Sequence, residues 1–234
     1  MAKRKKEKRK ALETPLYVED NPKSIVSEKV RGIRSNIMFS SANNEIKSII
    51  VTSEKPASGK SIVSANIAIT YAQAGYKTLI IDGDMRKPTQ QYNFETANYD
   101  GLSNLIIGKS DFDKAIRSTR VENLDLLTSG PVPPNPSELI ASNRFKNIYS
   151  QLMDMYDFIL IDTPPVISVT DAQVFLQIVK DCVMIIDTEK NNKNEIKKAK
   201  QLIEQADGHI IGAVLNKTAT DKSSNYYNYY GDED

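Results

Sequence analysis

The sequence predicts an α/β domain with a doubly wound, mostly parallel sheet flanked by helices, and three observations carry that expectation. Short aliphatic runs alternate with segments of helical period along 234 residues. The first run, Ile49-Ile50-Val51, passes through the turn-rich segment Ser53–Gly59 into a helix with apolar positions at Ile62, Ala65, Ile69 and Ala72. Two later runs, Thr78–Ile81 and Phe158–Ile161, end in the carboxylates Asp82 and Asp162. In open parallel sheets, ligands bind beyond such strand ends.

The loop between the first strand and its helix has the form of a phosphate-binding P-loop, Ser53-Glu54-Lys55-Pro56-Ala57-Ser58-Gly59-Lys60-Ser61-Ile62. Backbone N–H groups of such a loop and the helix's first turn point at an anion, and the helix dipole adds favourable potential. Lys60 is placed to reach the β- and γ-phosphates, and the Ser61 hydroxyl to take a position on Mg²⁺. The general pattern has Gly where Glu54 stands, so the assignment rests on the strand, the helix and the two acidic strand ends together.

Composition bounds the remaining possibilities. With 40% hydrophobic residues the chain can build one domain with a substantial core. No apolar run reaches the ~20 residues of a membrane span, no secretory signal is evident, and a cytoplasmic location is expected. One cysteine, Cys182, excludes a disulfide framework. The single histidine, His209, leaves zinc clusters and Ser-His-Asp chemistry without material and reads as a strand-entrance residue. Met1–Lys10 carries net +6, which leaves −5 on the remainder. This arm is either a solvated tail or a contact for an anionic surface, membrane lipid or nucleic acid.

In chain order, residues 1–22 read as a disordered basic arm and a lead-in, extended from Leu12 to Pro22; 23–217 as the P-loop domain; and 218–234 as a flexible tail. Ser24 or Ser27 caps a helix over Glu28–Phe39 with Val30, Ile33, Ile37 and Met38 on its apolar stripe. Its opposite ridge carries Glu28, Arg31 and Arg34. Spacing alone reads these three as an intrahelical ion pair or as a self-pairing patch. After the P-loop helix, Thr78–Ile81 delivers Asp82-Gly83-Asp84-Met85-Arg86-Lys87-Pro88 to the phosphate site. Short helices are expected within Asn98–Lys109 and over Phe112–Ser118, followed by a strand at Leu124–Thr128. The four prolines of Gly130–Pro136 force an irregular loop. Ser137 is expected to cap the next short helix, and Arg144–Met155 makes a longer one. Phe158–Ile161 ending at Asp162 has the form of a Walker-B strand, whose Asp holds Mg²⁺ directly or through water. Asp171-Ala172 opens a helix, Val183–Asp187 forms a fifth strand, and Asn194–Ala206 a Lys-rich helix. A sixth strand, Ile210–Leu215, ends at Asn216-Lys217, where the Asn amide suits a purine edge. The polar tail places Tyr226, Tyr227, Tyr229 and Tyr230 within five positions, either a recognition tag or phosphoacceptors, and the clustering favours acceptors.

These motifs resemble those of the bacterial tyrosine kinases (BY-kinases), in particular the cytoplasmic kinase subunit of capsular polysaccharide systems. The likeness spans Ser24–Asp234 and is most specific at Ser53-x-x-Pro56-x-x-Gly59-Lys60-Ser61, Asp82–Pro88, Gly130-x-x-Pro133-Pro134-Asn135-Pro136-x-Glu138-Leu139 and the tyrosine tail. The resemblance implies a P-loop NTPase fold. It also implies an ATP- and Mg²⁺-dependent protein-tyrosine kinase that autophosphorylates its tail between subunits and regulates capsule synthesis. It implies a catalytic set of Lys60, Asp82, Asp84 and Asp162. Nucleotide contacts are expected from Ser53, Lys55–Ile62, Asn216 and Lys217, and metal contacts from Ser61, Asp82 and Asp162. Asp82 or Asp84 accepts the tyrosine proton, with Asp82 favoured. Through Glu28, Arg31 and Arg34 the resemblance implies a homo-oligomeric ring, which replaces the ion-pair reading of that ridge. It further implies a membrane-anchored activator that recruits the chain to the inner face of the membrane, protein-tyrosine substrates and no nucleic acid. Ala57 departs from the Pro-Gly form of relatives and bears on nucleotide affinity, because a β-carbon crowds the phosphate wherever φ is positive.

Two rivals belong to other classes. A ParA/MinD-like switch ATPase acting on DNA or membrane would use Lys55, five residues before Lys60, as a lysine reaching across a dimer; the Pro56-Ala57 pair and the tyrosine tail argue against it. A nucleotide-binding adaptor without catalysis is opposed by the intact Lys60, Asp82 and Asp162 set.

Overall fold

A computed structural model describes residues 16–40 and 46–218. The basic arm of residues 1–15, residues 41–45 and the tyrosine segment of residues 219–234 lie outside the described residues. Along the chain come α1 (Tyr17–Asp20), α2 (Ile25–Phe39), β1 (Ser48–Ser53), α3 (Lys60–Gln73), β2 (Thr78–Asp82), α4 (Gln90–Asn93), α5 (Leu102–Ile107), α6 (Phe112–Ala115), β3 (Ile116–Ser118) and β4 (Leu124–Leu127). Then follow α7 (Pro136–Ala141), α8 (Asn143–Met155), β5 (Phe158–Asp162), α9 (Asp171–Val179), β6 (Asp181–Asp187), α10 (Lys193–Gln205) and β7 (His209–Asn216).

The strands form one sheet of order β3-β4-β2-β5-β1-β6-β7, parallel throughout except at the β3–β4 edge. Each central strand is buried on both faces, as a doubly covered parallel sheet requires. Alternate residues divide between two cores. Ile49, Val51, Ile80 and Leu160 pack with Ile67, Ala68 and Tyr71 of α3 and with Val30 and Ile37 of α2. Ile50, Leu79, Ile81, Ile159 and Ile161 pack on the other face with Phe145 and Leu152 of α8 and with Phe175 and Leu176 of α9. Cys182 is buried, and burial pushes its thiol up to about 12, which makes it a packing residue and not a nucleophile. His209 stands exposed at the entrance of β7, with Nδ1 3.0 Å from Asp181 Oδ1.

Several local expectations change. The lead-in is helical at α1 instead of extended, and it buries Leu16 and Val18 against the domain; Val18 N donates to Asn66 Oδ1 at 2.9 Å. Ser24 is the cap of α2, accepting from Ser27 N at 3.2 Å, which starts the helix at Ile25. Met38 leaves the apolar stripe and is 42% exposed. The helix expected through Ser118 stops at Ala115, and 116–118 becomes a seventh, antiparallel edge strand on β4. A pairing partner far along the chain decides that edge, and local pattern does not show it. Ser137 does not cap α7. Asn135 holds the N-cap position without a side-chain bond, and Ser142 caps α8 by accepting from Phe145 N at 3.2 Å.

Candidate nucleotide and phosphoryl-transfer site

The site is built where β1, β2 and β5 end side by side. Asp82 and Asp162 are direct register partners on β2 and β5, so the two acidic strand ends meet because the sheet is parallel and in register. Immediately beyond β1, the P-loop turns through two left-handed residues, Ala57 (φ 60°) and Gly59 (φ 83°), into α3. The positive φ favours glycine at Gly59, and a β-carbon there would also displace the Asn216 amide. A cavity of about 480 Å³ opens above the loop. Its wall contains Ser53, Lys55, Pro56, Ala57, Ser58, Gly59, Lys60, Ser61 and Ile62 on one side and Asp84, Arg86, Lys87 and Thr89 on the other.

Lys60 is buried and donates from Nζ to Asp162 Oδ1 at 2.6 Å and to Ser61 Oγ at 3.3 Å. Asp162 also accepts from Ser64 Oγ at 3.2 Å and from Gln90 Nε2 at 2.8 Å, so both its oxygens are satisfied without water. Asp82 has no exposure and accepts three backbone N–H bonds, from Thr89 and Gln90 at 2.9 Å each and from Asp84 at 3.2 Å. Burial first, then the neighbouring Asp162, push its carboxyl up to about 7, against the lowering by those amides. Asp84 lines the cavity; burial raises its carboxyl, and Lys60 opposes the rise. Gln90 and Thr89 carry no catalytic motif, and their part in fixing Asp82 and Asp162 was invisible in the sequence because it depends on the turn after Pro88.

Asn216 and Lys217 do not stand in the cavity wall. Asn216 Nδ2 donates to Ser58 O at 2.8 Å, and Lys217 Nζ donates to Ala57 O at 2.8 Å and to Asp187 Oδ2 at 2.9 Å. Both side chains brace the P-loop backbone from outside the cavity wall. Lys55 folds inward. Its ammonium bonds Lys190 O and lies 3.7 Å from Glu54 and 3.9 Å from Asp187. Glu54, where the general loop has Gly, is buried with neither carboxylate oxygen hydrogen-bonded.

Glu28 is exposed and paired to Arg31 within α2, whereas Arg34 donates to Thr70 O of α3 at 2.6 Å. The ridge is therefore partly engaged inside the chain. Tyr226, Tyr227, Tyr229 and Tyr230 lie outside the described residues.

Among the described residues no three His, Cys, Asp or Glu side chains gather as a metal cage. A hydroxyl, Ser61, beside two strand-end carboxylates is instead the sparse, hard-oxygen donor set that fits Mg²⁺. That ion takes one or two carboxylates together with substrate phosphates and water. No helix among the described residues is long and apolar enough to cross a membrane.

Residues 46–211 match the AAA domain family. The chain is 66% identical over 226 residues to CapB of Staphylococcus aureus, which carries a tyrosine-protein kinase name, covering 97% of this chain and 99% of that one. It is 39% identical to the tyrosine-protein kinase YwqD of Bacillus subtilis, covering 91% and 90%. Among solved structures, the chimerical protein CapA2B2 superposes with a TM-score of 0.85 at 54% identity, covering 88% of this chain and 90% of that one. With a P-loop, two register-paired carboxylates and relatives of this closeness over nearly its whole length, the chain belongs to the bacterial tyrosine-protein kinases.

Proposed function

We propose that this chain transfers the γ-phosphoryl group of Mg-ATP to protein tyrosine, its own tail included, within a capsular polysaccharide system. The observation that carries the reading is the convergence of Lys60, Ser61, Asp84 and the loop backbone on one cavity, with Asp162 bonded to Lys60 and Asp82 its register partner. A bound Mg²⁺ would neutralise phosphate charge. Ser61 and Asp162 would hold it, and Asp82 would lie close behind. Lys60 leaves Asp162 to meet the β- and γ-phosphates, a swap of one anion for another that needs little movement. The tyrosine oxygen bonds to the γ-phosphorus, the bond to the bridging oxygen breaks to leave ADP, and the phenolic proton passes to a carboxylate. Asp82 has the proton affinity of a base but no access, whereas Asp84 stands in the wall. We therefore assign the proton to Asp84 and give Asp82 the task of ordering the turn at Thr89-Gln90. Catalysis is then positioning and charge neutralisation.

The inward fold of Lys55, bonded to its own chain, supports the kinase over a switch ATPase that sends that lysine across a dimer. The name of the CapA2B2 chimera supports a CapA-type protein as the membrane partner whose cytoplasmic segment activates this chain. The test is incubation of the purified protein with Mg-ATP, with and without that segment, and mapping of phosphate by mass spectrometry. Phosphotyrosine on Tyr226–Tyr230 is expected; phosphate release without phosphotyrosine would establish the switch ATPase instead.

A further inference from the structure

A second cavity, of about 430 Å³, lies apart from the nucleotide site, between the end of α5, the proline loop and α7. Its open side is apolar. Ile107 is 46% exposed and Val132 62%, with Pro131, Pro133 and Leu139 beside them. Single exposed aliphatic residues are ordinary, but several that converge on one concavity mark a contact surface. Polar groups border it: Lys109, Glu138 and Asn104, whose Oδ1 is buried without a hydrogen-bond donor.

The cavity is pre-formed. Gly130 (φ 74°) lets the proline loop turn back on α5, where a β-carbon would strike Asn104 and Ser103. Asn98 exchanges two bonds with the Gly130 backbone, at 2.7 and 3.1 Å, and Ser103 Oγ donates to Pro131 O at 2.8 Å. A wall fixed in this way loses little freedom when something docks on it. The cavity also adjoins the chemistry. Arg86 lines the phosphoryl-transfer cavity and bonds the buried Asp171 at 2.8 and 3.0 Å; its Nη2 lies 3.5 Å from Ser137 Oγ. Asn135 and Glu138, on either side of Ser137 in sequence, line the second cavity. One ridge, Arg86–Ser137, thus separates the reacting cavity from the apolar one.

We propose that the second cavity docks the acceptor, and that its occupant is the segment Tyr226–Tyr230 of this chain. This rests on the tyrosine-kinase reading and adds a specificity to it: one tyrosine enters the reacting cavity while the ring adjacent in sequence fills the apolar one. Of the chain outside the structure, residues 1–15 and 41–45 contain no aromatic side chain, so 226–230 is the sole aromatic stretch available. In Tyr226-Tyr227-Asn228-Tyr229-Tyr230 every tyrosine has a tyrosine next to it. Aromatic rings carry the largest burial per residue, about 150–250 Å² each, which suits a shallow apolar cavity. Asp232, Glu233 and Asp234 follow, and Lys109 in the second cavity and Lys87 in the first present positive charge.

The experiment uses the full chain with Mg-ATP and two synthetic peptides, one spanning 225–234 as it stands and one with Tyr227→Ala and Tyr230→Ala. Wild type is expected to favour the paired peptide about tenfold in kcat/KM, as loss of one buried ring edge implies. The double variant Ile107→Asp, Val132→Asp should erase that preference through KM, while affinity for a fluorescent ADP and the mass by light scattering stay unchanged. Equal use of both peptides by wild type, or a preference that persists in the variant, overturns the docking assignment and leaves the kinase reading standing. A variant that keeps the preference but loses its response to the activator segment assigns the cavity to the activator, which also overturns it. No phosphotyrosine from wild type on either peptide or on its own tail overturns the kinase reading, and the docking inference with it.

Discussion

Lys60 holds two opposing relationships at once. It neutralises Asp162 inside a dry strand end, and in the proposed reaction its charge meets the transferring phosphate. Lys60→Met keeps the volume and removes the charge, so a folded protein with autophosphorylation lowered on the order of 10²–10³ is expected, as read by phosphotyrosine blotting beside circular dichroism. Wild-type rates in the folded variant would end the assignment. Asp82 gives a second test. Its folded carboxyl is raised to about 7, so the native state holds a proton that an unfolded chain releases near the ordinary value of 3.8. Stability from this group is full below the unfolded value and is lost as pH rises through about 7. The denaturation midpoint of the nucleotide-free protein should fall from pH 5 to pH 8, by up to about 1.4 kcal/mol per pH unit within the window. Asp82→Asn should flatten the dependence; an unchanged slope would show that Asp82 does not share its proton with this strand end.

The P-loop is the element whose conformation is least favoured by its own sequence. Ala57 stands at φ 60°, a left-handed position that costs a non-glycine residue about 1–2 kcal/mol. Three bonds hold the loop against that strain from the sheet edge: Asn216 to Ser58, Lys217 to Ala57, and Lys217 to Asp187. Ala57→Gly removes both the strain and the β-carbon facing the cavity. Nucleotide affinity is expected to tighten up to about fivefold, measured by titration with a fluorescent ADP; a weaker affinity would mean that the alanine pre-orders the loop. The neighbouring elements show how local pattern and pairing compete. Residues 112–118 carry enough helical character for one turn, and then β4 captures 116–118 as an antiparallel edge.

At the scale of the whole molecule, the proposed ring places the burden of subunit contact on one ridge of α2. Changing Glu28, Arg31 and Arg34 together to Ala should shift the proposed ring toward monomers and lower tail phosphorylation. Part of that effect would come from inside the chain, since Arg34 holds Thr70 O of α3. Arg34→Ala alone, with its melting temperature, separates the two contributions, and a light-scattering mass unchanged in the triple variant would return the ridge to a surface ion pair. The direction of transfer is testable in a mixture. Asn216 to Tyr226 spans ten residues, at most about 33–36 Å when extended, a reach that does not choose between own and neighbouring sites. Lys60→Met protein bearing the tail, mixed with active protein lacking it, should become phosphorylated. An unphosphorylated tail in an assembled mixture would make transfer internal to one subunit. Each phosphate adds about −1.5 to −2 charges, so a modified tail should be repelled from Asp82, Asp84 and Asp162 and leave the cleft.

The sequence by itself determined the class of fold, the strand–loop–helix around Lys60, and the acidic strand ends Asp82 and Asp162. These features are local: β-branched runs, a helical period and short motifs are set by neighbours along the chain. The tertiary structure alone decided which side chains face the cavity. Asp82 and Asp84 are two residues apart and look equivalent in sequence, yet one is sealed under the Thr89-Gln90 amides and the other lines the wall. Asn216 reads in sequence as a base contact because it ends a strand beside the site, and only the fold shows its amide bonded to the P-loop carbonyl of Ser58. The cavity at Val132 needed α5, the proline loop and α7 brought together between Ser103 and Leu139, an arrangement that no spacing or composition encodes.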